Sequence, residues 1–162
     1  MNERASGMQA LNLRAQAPRR WSERIDGVAW LPRLIDKARA AHAGTLGDYL
    51  FGQSPMDRTL LHVLSLGHAE FARIVAHAPD DRAVVESLSA RDPHALDRAR
   101  AWSEGLARRH RLFLFAIDID DGYATGIWTV IKPAANAASN ALVWMIKRLW
   151  PSRAIERSKR MP

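Results

Sequence analysis

The chain has 162 residues and no cysteine, is 48% hydrophobic and 25% charged, and carries a formal net charge of +7. Such a length and balance describe one folded domain with tails, and the missing thiols exclude disulfides, thiolate zinc sites and thiol nucleophiles. The excess positive charge lies at the ends: residues 1–24 carry five Arg against two Glu and residues 147–162 six Lys or Arg against one Glu, which leaves 13 bases and 14 acids between.

A nearly neutral middle argues against a nucleic-acid surface on the domain itself. The amino terminus lacks the apolar run of a signal peptide and the longest uncharged run, 133–146, is too short and polar to cross a bilayer, so a cytoplasmic chain without a transmembrane span is expected. Residues 1–24 read as a basic tail, 25–126 as a helical domain, 127–150 as an amphipathic helix region and 151–162 as a second basic tail.

In chain order the punctuation is helical, and an all-α bundle of about five to seven short helices is expected. Leu31-Pro32 places proline at the start of helix one, Leu34, Ile35, Ala38, Ala41 and His42 share its apolar stripe, and Gly44 ends it. Ser54-Pro55 opens a second helix, with Asp57 at the capping-box position, Leu60, Leu61 and Leu64 behind it, and Gly67 after it. A third covers 68–77 and buries Phe71, Ile74 and Val75; Asp80 and Asp81 favour the start of a fourth, carrying Val84, Val85 and Leu88. Asp92-Pro93 opens a longer helix through about Arg109, with Leu96, Ala99, Trp102 or Ser103, and Leu106 inside. The run at 112–119 reads as one short extended segment, "DDGYATG" as a turn, and 133–150 as an amphipathic helix.

The helices between Pro55 and Arg91 have helix-turn-helix lengths, but the would-be reading helix carries acids where phosphates demand net positive charge. "DIDDGY" at 118–123 lacks the spacing of a calcium loop and reads as a polar turn. The histidines do not fall in a metal-binding pattern, and His42 reads as a hydrogen-bonded edge of the core. No phosphate loop, nucleophile elbow, cofactor motif or metal site is recognisable.

The segments "LPRLIDKARA", "AGTLGDY" and "SPMDRTLL" resemble a bacterial family known only as a domain of unknown function, number five thousand and sixty-nine. The likeness is strong over Leu31 to Gly67 and loose to Tyr123. It rests on Leu31, Arg33, Asp36, Lys37, Arg39, Ala40, Gly44, Gly47, Asp48, Tyr49, Pro55 and Asp57. Many members of that family carry a cysteine just before the proline, where this chain has Gln53-Ser54. The resemblance implies a helical bacterial domain and no activity.

Charge near the core is the most informative feature. Arg33, Asp36, Lys37 and Ala40 fall on the face of helix one opposite its apolar stripe, with Arg39 at the flank. Asp36 stands three residues from both arginines. The glycine-studded loop that follows is expected to fold back over this helix, so that Asp48 or Asp57 pairs with Arg33, Lys37 or Arg39. Arg33, Asp36, Lys37, Arg39, Asp48, Tyr49, Asp57 and Arg58 are therefore the candidate ligand surface. The cluster is either a stabilising clasp or a pocket for an anionic or polar ligand. The leading expectation is a binding or interaction module with a small anionic ligand or a protein partner. One alternative is an enzyme acting on a small anionic metabolite, with Asp48 or Asp57 as acid or base. Another is contact with an anionic membrane or nucleic acid through Trp144, Lys147, Arg148, Trp150, Arg153, Arg157, Lys159 and Arg160.

Overall fold

The computed structural model describes residues 11–124. Residues 1–114 form one compact unit and 115–162 another, and the core discussed below lies in the first. Among the described residues the order is β1 (Arg24–Ile25), β2 (Val28–Ala29), α1 (Leu31–His42), α2 (Pro55–Val63), α3 (His68–His77), α4 (Asp81–Arg91), α5 (Ala95–Glu104), α6 (Leu106–Arg109) and α7 (Arg111–Asp120). The fold is mostly helical, and no helix among the described residues is long and apolar enough to cross a membrane.

The two tiny strands form an antiparallel hairpin in which Arg24 faces Ala29 and Ile25 faces Val28. Its turn is Asp26-Gly27, both at positive φ (50° and 78°), as a two-residue turn matched to strand twist requires. This hairpin was not anticipated; the Asp-Gly dipeptide is its sequence signal. It presses buried Val28 and Ala29 against α5, where the Ala29 N–H donates to Ser103 Oγ at 2.9 Å. It also delivers Trp30 to the start of α1.

Helix α1 is the central element and packs chiefly on α3. Pro32 lies in its first turn, and its end is a Schellman closure: Gly44 takes φ 70° while Thr45 N–H reaches Ala40 C=O at 2.8 Å. Thr45 is held in turn by the N-terminal segment, accepting from Leu13 N–H at its carbonyl (3.0 Å) and donating through its hydroxyl to Leu11 C=O (2.9 Å). Leu13 is buried and Arg19 is paired with Asp36, so these residues of the basic N-terminal stretch pack on the domain.

That packing encloses the charged face of α1. Residues 31–38 and Ala40 are all buried, so Arg33, Asp36 and Lys37 lie under the N-terminal segment and the loop after α1. His42 is exposed and not an edge of the core, because the buried stripe ends one turn earlier.

Further along, Ser54 caps α2 by accepting from Asp57 N–H, and Asp80 caps α4 by accepting from Ala83 N–H. The single long helix expected through Arg109 is two, α5 and α6, broken at Gly105. A Cβ there would lie 2.0 Å from Arg109 Nη1, and the Arg109 guanidinium folds back onto Trp102 C=O at 2.6 Å. Asp92 closes α4 with its N–H, accepts from His94 N–H and pairs with Arg98, so α5 starts three residues beyond it. These two contacts, Arg98 first, hold the Asp92 carboxyl below the usual carboxylate range.

The run read as extended is helix α7. Leu112 is 83% exposed, whereas Leu114, two residues on, is buried, and helical backbone bonds satisfy the segment locally. In the second unit, Ala124 N–H bonds Asp118 C=O and Gly122 turns at φ 80°, the anticipated turn. The expected helix at 133–150, with Trp144 through Arg160, lies outside the described residues.

Candidate functional site

The charged residues singled out in the sequence separate into three places. The first is a buried hub around Asp57. The loop from Ala43 to Ser54 returns over α1, and the carboxylate of Asp57, in the first turn of α2, turns inward instead of capping its own helix. Lys37 Nζ donates to both oxygens at 2.5 and 2.6 Å, Trp30 Nε1 at 2.8 Å, and the Gly52 N–H at 3.0 Å. Lys37 is 3% exposed and Asp57 not at all. These donors occupy the acceptor sites of a carboxylate. A general base needs an open lone pair, and Asp57 has none to offer in this state.

Trp30 is the hub's third member and its most constrained. It is buried, and its backbone sits in the left-handed region at φ 68°, uncommon for a bulky residue and worth roughly 1–2 kcal/mol of strain. The cations of Arg33 and Lys37 each lie 5.4 Å from its ring centroid, and Arg33 also stands 5.6 Å from the ring of Tyr49. The Arg33 Nη1 donates to Arg19 C=O at 3.4 Å. Gly52 makes the loop's approach feasible, since at φ 72° a Cβ there would meet His68 Cβ at 2.5 Å.

The second place is a groove of about 670 Å³ bordered by the N-terminal segment, α1, α3 and α4. Its polar wall is an ion network. Arg19 bonds Asp36 through its backbone N–H (2.8 Å) and its guanidinium (2.7 Å), and also reaches Asp81 at 2.5 Å. Arg39 donates to the other Asp81 oxygen at 2.6 Å. Burial pulls the Arg19 guanidinium towards easier deprotonation, but the bonds to Asp36 and Asp81 outweigh it and carry its pKa above the ordinary value. At Asp81 burial pushes up, and the two guanidiniums, Arg19 first, bring the carboxyl below its usual range. Leu11, Val75, Ala76 and Ala78 form the apolar part of the lining.

Asp36 thus pairs with Arg19, across 17 residues of sequence, and not with the neighbouring Arg33 or Arg39 on its own helix. Arg19 and Asp81 were missed by the sequence reading. Arg19 stood in a stretch whose composition reads as a tail, and Asp81 as a dipole-complementing residue at a helix start. Nothing local to either announces a partner so distant.

Arg39 is the unbalanced member. Its Nη1 serves Asp81, while its Nε and Nη2 are buried without a hydrogen-bond acceptor. Leaving buried donors unmet costs about 1–3 kcal/mol each.

The third place is a notch of about 310 Å³ at the joint of α2 and α3, lined by Arg58, His62, His68, Gly52, Leu61 and Leu66. Of the remaining candidates, Asp48 is exposed on the loop and takes no part in the hub. The eight residues therefore do not form one pocket. Lys37, Asp57 and Arg33 gather around Trp30, with the Tyr49 ring against Arg33; Asp36 and Arg39 face the groove, and Arg58 faces the notch.

The model of the family described as Domain of unknown function (DUF5069) matches residues 15–112, the span that holds the hub, nearly all of the groove lining and the notch. No curated protein matches the chain.

Proposed function

The chain belongs to the DUF5069 family, a domain of unknown function, and from the surfaces built by its matched region we propose that it is a small helical binding module whose ligand seat is the groove along α1, α3 and α4. The hub serves as the clasp that closes the loop onto α1, since its charged atoms are enclosed and mutually satisfied. The groove is where the same helix still offers chemistry. Its volume lies in the range of small-molecule sites, with mostly apolar walls and a few convergent polar groups.

The observation that carries the reading is Arg39, which brings a guanidinium to the groove with two donors unmet. A ligand with an apolar body and a carboxylate or similar acceptor would draw that guanidinium forward. It would satisfy the donors at the moment of binding, competing with Asp81 for the same fork. The network itself is balanced, two arginines against two aspartates, so a single negative charge suits it better than a polyanion.

The test is a thermal-shift series with straight-chain carboxylates from butanoate to octanoate, together with benzoate. At ten times its dissociation constant a binder adds about 1.4 kcal/mol, a rise of several degrees in Tm for a domain of this size. Arg39→Gln should abolish the rise by removing the fork. Ala76→Trp should abolish it by filling the exposed part of the groove while leaving the ion pairs untouched. No stabilisation by any of these acids, or stabilisation that survives both substitutions, would contradict the reading.

A further inference from the structure

We infer that the ligand of the groove is an apolar α-amino acid, whose carboxylate takes Arg39 and whose ammonium is met by Asp81. This rests on the groove being the ligand seat, and adds a second charged group that a simple carboxylic acid lacks. Any ligand that draws on Arg39 disturbs an existing ion pair, and that disturbance selects the ligand.

Asp81 divides its carboxylate between two cations. Its Oδ2 accepts from Arg19 Nη1 at 2.5 Å and its Oδ1 from Arg39 Nη1 at 2.6 Å. A carboxylate that pulls the Arg39 fork forward leaves the first bond intact and breaks the second. The Asp81 side chain is only 25% exposed, so its Oδ1 is then short of a partner where an unmet charge is costly. A bare acid therefore gains one ion pair and loses another. It also adds a negative charge to a network in which Arg19 and Arg39 balance Asp36 and Asp81. An α-amino acid avoids both losses. Its ammonium and carboxylate share one carbon, so a single molecule brings an anion to Arg39 and a cation to Asp81, and the charge count stays neutral.

The other charged groups of the lining are already engaged. Asp36 gives one oxygen to the Arg19 backbone N–H and the other to its guanidinium, and is 5% exposed. Asp80 caps α4 by accepting from Ala83 N–H at 2.8 Å, and Arg82 pairs with Glu86. Arg39 has donors to spare, and Asp81 is the acid that binding at Arg39 itself releases. Beyond this pair the wall is aliphatic, with Leu11, Val75 and Ala76 placed to receive an apolar side chain.

The experiment is a calorimetric titration with leucine and its two half-charged analogues: isocaproate, which lacks the ammonium, and leucinamide, which lacks the carboxylate. Leucine should bind at least about tenfold more tightly than isocaproate, the worth of one charge-assisted hydrogen bond, and leucinamide should not bind. Asp81→Asn should bring leucine down to the affinity of isocaproate, while isocaproate holds or tightens because its competitor for Arg39 is gone. Arg39→Gln should abolish the binding of both. The three-ligand comparison is made on the unaltered chain, and Asp80 keeps the α4 cap in the Asp81 variant. Isocaproate binding as tightly as leucine, and lost in Arg39→Gln, would overturn the amino-acid assignment and leave the carboxylate seat in place. Leucinamide matching leucine, or a preference for leucine that survives Asp81→Asn, would overturn it as well. Binding of neither leucine nor isocaproate would overturn the groove reading along with it.

Discussion

Replacing Lys37 with Met should lower the unfolding free energy by about 3–5 kcal/mol, the range for removing one partner of a buried ion pair. The size follows from what remains. Asp57 is fully buried and keeps Trp30 Nε1 and Gly52 N–H as donors, but loses the Lys37 ammonium that lies against both of its oxygens. Asp57→Asn should also be destabilising, because it removes the buried negative charge that accepts two short bonds from the ammonium. The double substitution Lys37→Met, Asp57→Asn removes both charges of the pair together and should recover part of the summed loss, with a coupling of at least about 1 kcal/mol. Urea unfolding of the four proteins reads this directly, as shifts in midpoint at constant slope. Additive losses, or single losses below about 1 kcal/mol, would mean that the pair is solvated and the loop does not close over α1.

Trp30 gives the second large effect, with an unusual order of variants. Truncating a buried tryptophan costs about 3–5 kcal/mol, and here the ring also carries the indole bond to Asp57 and the contacts with Arg33 and Lys37. Trp30→Ala keeps a side chain on a left-handed backbone; Trp30→Gly removes it. Glycine adopts φ 68° without penalty, so Trp30→Gly should be the more stable of the two by about 1 kcal/mol. At an ordinary helix or strand position the order is the reverse, with glycine the worse by about 0.5–1 kcal/mol. Thermal or urea unfolding ranks the two, and finding alanine more stable than glycine would remove the strained geometry assigned to residue 30.

Most of the helical frame was legible because this chain marks its helix ends with strong punctuation. Pro32 and Pro55 in first turns, Ser54 and Asp80 as caps and Gly44 after α1 act through local backbone chemistry that needs no tertiary information. The misreadings have an equally local cause. Residues 112–117 are six apolar residues in succession, which carry no period and so cannot distinguish strand from helix. Gly105 breaks the α5–α6 stretch at a position where the apolar spacing simply continues, so periodicity passes through it. The Asp26-Gly27 hairpin is too short to show alternation.

The candidate site was half legible for a different reason. Periodicity separates polar from apolar faces, but it does not say whether a polar face is wet. Arg33, Asp36 and Lys37 fell on the polar face of α1 and were read as facing away from the core. Asp36 and Lys37 are buried with matching charge supplied by Arg19 and Asp57 from elsewhere in the chain, and Arg33 is buried against the Trp30 and Tyr49 rings. The Lys37–Asp57 pair was within reach of the sequence, since glycines in the loop allow close approach. The Arg19–Asp36–Asp81–Arg39 network was not, because its members come from three segments with no shared local signal.

The most direct measurement is amide and indole hydrogen exchange at two groups, the Gly52 N–H and the Trp30 Nε1–H. Both donate to Asp57, each to a different carboxylate oxygen. If the loop is locked onto α1 by the enclosed carboxylate, both protons exchange slowly and with similar opening free energies, and Lys37→Met accelerates them together. A Gly52 amide that exchanges at the rate of a free loop while the Trp30 indole stays protected would show that the clasp does not exist.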